Sequence, residues 1–419
     1  MPSREVTLGM FRCYDPTAFQ YSNLCLVSVM TSLLSILTLL LFLPYAGLIL
    51  YYRKGWKQAP SFPFFDKRRQ PATRITVIIP ARNEETSIGR CLKSLINQSY
   101  PATLYEVIVV DDHSTDNTSG VVNGFRQANI HCLPLADFVP DPINSYKKKA
   151  IEVAIERSMG DLIVTTDADC WMGADWLSTI AALYETEQPA FIAAPVVIHC
   201  NSRFLEIFQA LDFMTLQGIT GAAVHRQAHS MCNGANLAYE KKAFYEVDGF
   251  SGIDTIASGD DMLLMHKISH RYIGRVKYLK ATAAIVHTEP AVSWRAFLNQ
   301  RIRWASKADK YDDKSMLPVL VVVYLLNVLL LVLPLMAIFQ NTIFTIGTFN
   351  FSLLAYWLFL LVVKTLVELS FLSPVASFFN KRRLLWWFPM MQPFHIVYTV
   401  VAGWLGKFGS YQWKGRKVK

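Results

Sequence analysis

The chain has 419 residues, of which 52% are apolar and 17% are charged, and it carries a formal net charge of +9. This excess of apolar residues is typical of membrane proteins and excludes an ordinary soluble enzyme over the whole length. The basic residues cluster beside the apolar stretches, which indicates membrane topology and contact with lipid headgroups, so we expect no nucleic-acid partner. The seven cysteines include no C-x-x-C pair, which argues against a disulfide framework or a structural zinc site.

A first membrane anchor is predicted near the start of the chain. A short segment, 1–23, precedes an uncharged apolar stretch, 24–52, that is long enough for one transmembrane helix. The segment 53–73 reads as a basic juxtamembrane linker, since residues 53–74 carry seven basic side chains and one acidic side chain. The positive-inside rule therefore puts the N-terminus outside the membrane and the following domain in the cytoplasm.

The middle of the chain, 74–310, is predicted to be this cytoplasmic domain. Buried-strand patterns occur at 75–79, 105–110, near 130, at 161–166 and at 191–198, with helical patterns between most of them. This alternation predicts an α/β fold with a doubly wound, mostly parallel sheet, flanked by transmembrane helices. No G-x-G-x-x-G follows the first strand, so a dinucleotide-binding site is not indicated.

The C-terminal region, 311–406, is apolar enough for two or three membrane spans. Residues 317–339 and 344–372 are the clearer candidates. The second carries Lys364 and Glu368 one helical turn apart, and we expect this pair to face the interior of the helix bundle.

A last apolar stretch, 384–405, is interrupted by Pro389 and Pro393 and precedes a basic tail, 407–419. As a third C-terminal span it would leave the tail outside, against the charge rule. We favour an interfacial helix that keeps the tail on the cytoplasmic side. The chain is thus expected to be a multi-pass protein of the inner cell membrane.

The strongest chemical signal is Asp167-Ala168-Asp169, which directly follows the strand at 161–166. The carboxyl ends of strands in an open α/β sheet form the ligand-binding crevice, and carboxylates completed by substrate phosphates are the usual Mg²⁺ site of phosphate-handling enzymes. Asp167 and Asp169 are therefore candidate ligands for Mg²⁺ or Mn²⁺. The alternative is a structural turn in which Asp169 caps the next helix.

Two other strand ends carry polar residues that belong to the same crevice. Asp111 and Asp112 follow the second strand, where a carboxylate accepts hydrogen bonds from a nucleotide base or ribose, unless it only caps a turn. Pro80, Arg82 and Glu84 follow the first strand and line the same edge. These five residues are candidate nucleotide contacts.

Two predicted helices begin with charged side chains. The run Lys147–Lys149 opens one helix and suits a diphosphate, although such a run is more often a solvated surface. Asp260 and Asp261 precede another helix. A carboxylate near an incoming hydroxyl can serve as a general base, and capping of the helix is compatible with that role.

The last helix of the domain carries Gln300, Arg303 and Trp304 on one face. An arginine there can offset charge on a leaving diphosphate, and a tryptophan can stack on a sugar. The alternative is an interfacial helix, since Trp and Arg favour the membrane boundary.

Together these motifs resemble those of the membrane-bound family-2 glycosyltransferases, the group that contains cellulose, hyaluronan and poly-N-acetylglucosamine synthases. The last motif is also similar to that of ceramide glucosyltransferases. The resemblance covers about residues 74–310 and the flanking spans, and it implies a GT-A-type fold. The shared motifs are Val77-Ile-Ile-Pro80 with Arg82-Asn-Glu84, Val110-Asp-Asp112, Asp167-Ala-Asp169, Gly259-Asp-Asp261 and Gln300-x-x-Arg303-Trp304.

The resemblance implies roles for the matched positions of a donor site. Asp112, with Asp111 beside it, would hold the nucleotide base, and Lys149 would contact the nucleotide. Asp167 and Asp169 would bind the diphosphate through Mg²⁺ or Mn²⁺.

The resemblance also implies the residues of the transfer step. Asp261, with its neighbour Asp260, would deprotonate the acceptor hydroxyl. Gln300, Arg303 and Trp304 would close over the diphosphate and the acceptor end. Many polymer synthases carry a Glu-Asp pair where this chain has Asp260-Asp261, which leaves the acceptor contacts open.

The implied function is inverting transfer of a sugar from a nucleotide-sugar donor, with a UDP-sugar favoured, to a membrane-associated lipid or glycan acceptor. One alternative is a processive polysaccharide synthase that extends and translocates a β-linked polymer. Another, from a different class, is a catalytically dead membrane protein that binds sugar or acts as a scaffold. The oligomeric state is left open.

Overall fold

The computed structural model describes residues 16–62, 70–139, 143, 145–228, 231–256, 259–306, 316–340, 343–346, 349–408, 411–413 and 416–418. Most of the predicted N-terminal segment, part of the basic linker (63–69) and the start of the C-terminal region (311–315) lie outside these described residues.

The central domain is built on two sheets. The strands of the larger sheet are β1 (Ile75–Ala81), β2 (Tyr105–Asp111), β3 (Ile130–Pro134), β4 (Leu162–Thr165), β6 (Phe191–Ala193), β8 (Leu237–Glu240) and β9 (Val276–Tyr278). Their order is β3-β2-β1-β4-β8-β6-β9, and only β8 runs antiparallel to its neighbours. The smaller sheet consists of β5 (Cys170–Met172), β10 (Val286–Thr288) and β7 (Val196–Ile198), in that order.

Helices cover both faces of the larger sheet, and the alternation of side chains along its strands explains why. These helices are α2 (Ile88–Ile96), α3 (Thr118–Asn123), α4 (Tyr146–Arg157), α5 (Trp176–Glu187), α7 (Lys241–Glu246) and α8 (Met262–Arg271). Val77 and Val109 pack with α2 and α5 in one core, whereas Ile78 and Ile108 pack with α4 and α8 in another. The prediction of a doubly wound, mostly parallel α/β sheet is confirmed.

The stretch 191–198, predicted as one strand, forms two strands that belong to different sheets. Pro195 lies between them, and a proline has no N–H to donate to a strand ladder. Its carbonyl oxygen instead accepts a hydrogen bond from Asn236 Nδ2 at 2.7 Å. The chain therefore passes from the larger sheet to the smaller one at this proline.

The remaining helices are long and mostly apolar, with one exception. They are α1 (Pro16–Gln58), α6 (Phe204–His225), α9 (Trp294–Ala305), α10 (Met316–Gln340), α11 (Leu353–Phe378) and α12 (Phe388–Phe408). The exception is α9, which has 12 residues and several polar side chains. Within the described residues, three helical segments are long and apolar enough to cross a membrane: Ser32–Gln58, Leu317–Ile338 and Leu353–Phe378. These segments give the chain its membrane character.

Some predicted boundaries shift in the structure. Helix α1 runs on to Gln58, so the first six residues of the predicted linker are helical. The predicted span 344–372 starts instead with a hairpin of β11 (Ile343–Ile346) and β12 (Phe349–Ser352). Helix α11 follows directly, because Ser352 Oγ accepts a hydrogen bond from the Ala355 N–H at 3.1 Å and caps it.

The last part of the chain contains a turn, a helix and a hairpin. A short 3-10 turn, Arg382–Trp387, leads into α12, which contains Pro393. The described part of the tail forms a hairpin of β13 (Tyr411–Trp413) and β14 (Arg416–Val418).

Lys364 and Glu368 face the interior of the helix bundle, as predicted. Lys364 Nζ donates to Glu368 Oε1 and to Gln392 Oε1, both at 2.7 Å. Gln392 Nε2 donates to Glu368 Oε2 at 2.5 Å, and the Tyr45 hydroxyl donates to Glu368 Oε1. Because every charge has partners, the buried pair is tolerated among apolar side chains and ties α1, α11 and α12 together.

Helix α6 joins the sheets to the apolar helices, and two glycines permit its close packing. A Cβ atom at Gly218 would lie 2.6 Å from Val375 Cγ2 of α11, and one at Gly221 would lie 2.7 Å from Trp56 Cζ3 of α1. Real side chains do not approach so closely, so both contacts depend on the absence of a Cβ.

Lys280 fixes the end of α1 on the central domain. Its buried ammonium donates to Trp56 O at 2.7 Å and to Ala59 O at 3.1 Å, and it lies 4.5 Å from the centre of the Trp56 ring. Carbonyl groups at a helix C-terminus lack helical partners, and this lysine supplies a donor. Burial lowers the pKa of Lys280.

We predict that Gly218→Ala destabilises the protein by about 1–3 kcal/mol, because the added methyl group would overlap Val375 and Phe371. The midpoint of thermal unfolding in detergent measures the effect. Gly47→Ala in α1 is the matched control, since a Cβ there meets no atom within 4 Å and alanine favours the helix. Equal midpoints for the two variants would contradict the close packing of α6 on α11.

Candidate active site

Several strand ends meet at one edge of the larger sheet. The parallel pairings of β1 with β2 and β4 bring the segments that follow these strands side by side. Strand β8 runs the other way and enters at the same edge, where Leu237 pairs with Thr165. The turn before β8 therefore adjoins the end of β4, and Thr165 Oγ1 donates to Gly234 O at 3.2 Å.

A cavity of about 440 Å³ opens at this edge and collects most of the predicted site. Eleven of the thirteen predicted residues line it: Pro80, Arg82, Glu84, Asp112, Asp167, Asp169, Asp260, Asp261, Gln300, Arg303 and Trp304. Asp111 and Lys149 do not line it.

Asp111 stabilises a turn outside the cavity. Its Oδ1 accepts a hydrogen bond from the Ser114 N–H at 3.1 Å, and its Oδ2 accepts one from the Ser119 hydroxyl. The expectation that Asp111 contacts a nucleotide is therefore corrected. Successive side chains at the end of a strand point to opposite sides, so Asp112 lies at the cavity and Asp111 does not.

Asp112 is buried at the cavity wall. Its Oδ1 lies 3.0 Å from His113 Nδ1. Arg82 joins this segment to the segment after β1, because its Nη1 donates to the carbonyl oxygens of Asp112 at 2.8 Å and His113 at 3.0 Å. The arginine thus holds two strand ends together.

Lys147, rather than Lys149, reaches the cavity. Lys149 Nζ pairs with Glu152 Oε2 at 3.1 Å on the surface of α4. Lys147 Nζ donates to Asp167 Oδ1 at 2.8 Å and lies 3.2 Å from Asp260 Oδ2. The expectation for Lys149 is corrected, because residues two apart on a helix point about 200° away from each other.

Lys147 places a positive charge between two pairs of carboxylates. Burial alone would lower the pKa of Lys147, but the carboxylates of Asp167 and Asp260 raise it above its ordinary value. The ammonium group therefore remains charged and links the end of β4 to the start of α8.

Asp261 caps α8 and also lines the cavity, so the cap is compatible with the role predicted for this residue. Its Oδ1 accepts from the Met262 N–H at 2.8 Å, and its Oδ2 accepts from the Gly234 N–H at 3.1 Å. A Cβ at Gly234 would lie 3.2 Å from both Asp260 Oδ2 and Lys147 Nζ. The absence of a Cβ at Gly234 lets the backbone approach these charged groups closely.

Asp167 and Asp169 suit a divalent cation that shares its coordination with a substrate. They lie in the turn between β4 and β5, and both line the cavity. Among the residues that the structure describes, no group of three or more His, Cys, Asp or Glu side chains could hold a metal ion. Two carboxylates fit Mg²⁺ or Mn²⁺ when phosphate oxygens supply further ligands.

The cavity also has an apolar part. It is lined by Phe213 and Leu216 of α6, Trp304 of α9 and Leu320 of α10. The Phe213 and Trp304 ring centres are 6.1 Å apart. Because Leu320 belongs to a helical segment apolar enough to cross a membrane, the cavity reaches from the charged strand ends to the membrane helices.

The turn 232–236, directly before β8, belongs to the site although none of the predicted site residues lies in it. Asn236 in this turn is fully buried: its Nδ2 donates to Pro195 O and to Ala284 O, and its Oδ1 accepts from Trp176 Nε1 at 3.0 Å. The asparagine therefore joins both sheets behind the cavity. The cluster Asn-Gly-Ala-Asn directly before a strand is the sequence pattern that indicates this turn.

The chain is similar to known glycosyltransferases in sequence. The family profile described as Glycosyl transferase family 2 matches residues 76–248. The chain is 24% identical over 248 residues to a probable glycosyltransferase, YdaM, of Bacillus subtilis, with 58% of this chain and 57% of that protein covered. It is 28% identical over 285 residues to an N-acetylglucosaminyltransferase of Rhizobium meliloti, with 66% and 64% covered. The match thus spans less than two thirds of either relative.

The fold is also shared with a solved structure. The mannosyltransferase PcManGT from Pyrobaculum calidifontis, in complex with GDP-Man and Mn²⁺, superposes with a TM-score of 0.52 at 19% sequence identity. The superposition covers 87% of this chain and 99% of that chain. Residues 76–248 therefore match the profile of the family 2 glycosyltransferases, and the fold is similar to the GT-A fold, as the motifs predicted.

Proposed function

We propose that this protein is a metal-dependent, inverting glycosyltransferase that moves one sugar from a nucleotide-sugar donor to a membrane-associated lipid or lipid-linked glycan. The observation that carries the proposal is the mixed lining of the cavity. It presents Asp112, Asp167 and Asp261, and it also reaches Leu320 of a membrane-type helix. Such a lining fits a charged donor together with an acceptor on an apolar carrier.

The donor half of the site consists of the strand-end residues. Asp112 accepts hydrogen bonds from the base or ribose, and Asp167 and Asp169 hold Mg²⁺ or Mn²⁺ with the diphosphate. Lys147, 2.8 Å from Asp167, adds a cation beside the diphosphate and takes the role expected for Lys149. The GDP-Man and Mn²⁺ in the similar mannosyltransferase structure support this class of ligands, and we retain a UDP-sugar as the first donor to test.

The transfer step takes place in the same cavity. Asp261 accepts the proton of the acceptor hydroxyl as that oxygen attacks the anomeric carbon, and Asp260 keeps Lys147 in place. The bound metal ion would neutralise part of the charge on the leaving diphosphate. Arg303 does the same from α9, while Gln300 and Trp304 close over the diphosphate and the acceptor end. A single base suits inversion, because no covalent sugar intermediate is needed.

We further propose that the catalytic domain is cytoplasmic, with the N-terminus outside and the basic tail inside. Basic residues follow the apolar part of α1, and the charge rule assigns that end to the cytoplasm. Lys280 holds this end of α1 on the domain. Labelling of single cysteines at 407–419 in intact cells tests the tail, and labelling from outside would contradict this topology.

The function is tested with purified protein in lipid vesicles, Mn²⁺ and a panel of UDP- and GDP-sugars. Release of the nucleoside diphosphate identifies the donor, and the size of the radiolabelled product separates the candidate reactions. We expect a product that carries a single added sugar and extracts with lipid. A long ladder would favour a processive synthase, and no turnover with any donor would favour a sugar-binding or scaffold role.

Lys147→Gln is expected to raise the donor KM about 10- to 100-fold, since a hydrogen bond to a charged group is worth about 1.5–3 kcal/mol. Lys149→Gln is the matched control on the same helix. It should change the donor KM less than about twofold, because an exposed ion pair contributes little. The opposite ranking of the two variants would restore Lys149 to the donor site.

Asp261→Asn is expected to lower kcat by about 10²- to 10⁴-fold, the usual contribution of a general base. Asparagine caps a helix as well as aspartate does, so α8 should remain folded. Nucleoside diphosphate binding, measured by calorimetry, should survive in this variant. Retained turnover would rule out Asp261 as the base.

Asp169→Asn should have the complementary effect. It removes a candidate metal ligand, so Mn²⁺-dependent nucleotide binding should weaken at least about tenfold, within the range for loss of a charged contact. Titration of nucleotide with and without Mn²⁺ measures the change. Unaltered Mn²⁺ dependence would remove Asp169 from the metal site.

A further inference from the structure

Arg301 lies inside the motif of α9 but does not line the cavity. It is buried, and its Nη1 donates to Gln300 Oε1 at 2.8 Å. Its guanidinium carbon lies 4.2 Å from the centre of the Trp304 ring. One side chain therefore contacts two of the motif residues that do face the cavity.

The charge of Arg301 is held by Asp212 of α6. The guanidinium Nε and Nη2 donate to Asp212 Oδ2 at 3.0 and 2.6 Å. The other oxygen of Asp212 accepts a hydrogen bond from the Tyr398 hydroxyl of α12, and His395 Nε2 lies 3.9 Å from it. The network thus connects the motif helix α9 to α6 and to α12.

The geometry of this pair matters more than its charge. Both side chains are only 4% exposed, and a buried ion pair contributes little net stability compared with apolar residues of the same volume. The Arg301 guanidinium is planar and makes several hydrogen bonds, and these bonds fix one orientation of the Arg301 side chain. A lysine would keep the charge but has neither a planar group to lie over an indole ring nor the rigid fork that bonds one carboxylate through two nitrogens.

We propose that Arg301 is a positioning residue that holds Gln300 and Trp304 in the orientation needed for transfer, with Asp212 and Tyr398 fixing it from α6 and α12. This inference rests on the proposed function for the roles of Gln300 and Trp304. It makes the placement of the motif depend on α12, outside the matched family domain.

A double-mutant cycle tests this role. Arg301→Lys should lower kcat about 10- to 100-fold, since misplacement by about 1 Å can cost 10²-fold. The donor KM should change less than about threefold, because Arg301 does not line the cavity. In a Trp304→Phe background the same substitution should cost at least about fivefold less in kcat, because coupled residues are not additive. An equal loss in both backgrounds would overturn the proposal.

A second measurement does not depend on activity. In protein labelled with fluorotryptophan, the fluorine NMR signal missing from Trp304→Phe belongs to Trp304. Arg301→Lys should shift or broaden that signal, and an unchanged signal would overturn the proposal. If the parent protein transfers no sugar, the proposed function fails, and this spectrum still decides the role of Arg301.

Two further variants complete the design. Tyr398→Phe removes only the hydroxyl that donates to Asp212, so it should fold even if Arg301→Lys does not. It should move the Trp304 signal in the same direction by a smaller amount, and no movement would count against the network. Arg275→Lys is the control, since Arg275 pairs with Glu240 at 3.0 Å away from the cavity. Loss of kcat in this control equal to that of Arg301→Lys would show a general stability effect and overturn the proposal.

Discussion

Five aspartates face one cavity of about 440 Å³, and their mutual repulsion is the constraint that the surrounding structure has to meet. Like charges a few ångströms apart disfavour each other's ionised form. The protein offsets this repulsion with one ammonium, Lys147, and with backbone N–H groups that bond Asp261. The negative charge that remains suits a divalent cation that shares its coordination with phosphate oxygens.

Much of this site follows from local patterns in the sequence. Strands β1, β2 and β4 are recognisable because they are short, β-branched and bounded by turn residues. Once they are parallel, their carboxyl ends must share one edge, so Arg82, Asp112 and Asp167 come together without any knowledge of distant contacts. The position of Asp261 can also be predicted locally, because the helical pattern of the residues that follow places it at the start of a helix.

The errors arise where side-chain direction or distant packing decides. Lys147 and Lys149 carry the same charge on one helix. Only the rotation of α4 about its axis decides which of the two faces the cavity. The neighbours Asp111 and Asp112 differ in the same way. Arg301 was invisible as a functional residue, because its partner Asp212 lies 89 positions earlier in the chain. Pro195 indicates a break between two strands in 191–198, but the continuous apolar pattern of this stretch favoured one strand.

The contact between Lys280 and the end of α1 extends the packed core of the central domain into this helix. The ammonium of Lys280 has its two acceptors on Trp56 and Ala59, and Gly221 packs against the Trp56 ring. A chain shortened to begin after α1 would lose both acceptors of this ammonium and leave a hollow beside α6 where the Trp56 ring packs. The end of α1 therefore belongs to the core of the central domain, although the same helix is apolar enough to cross a membrane, so the domain packs as one unit with this helix.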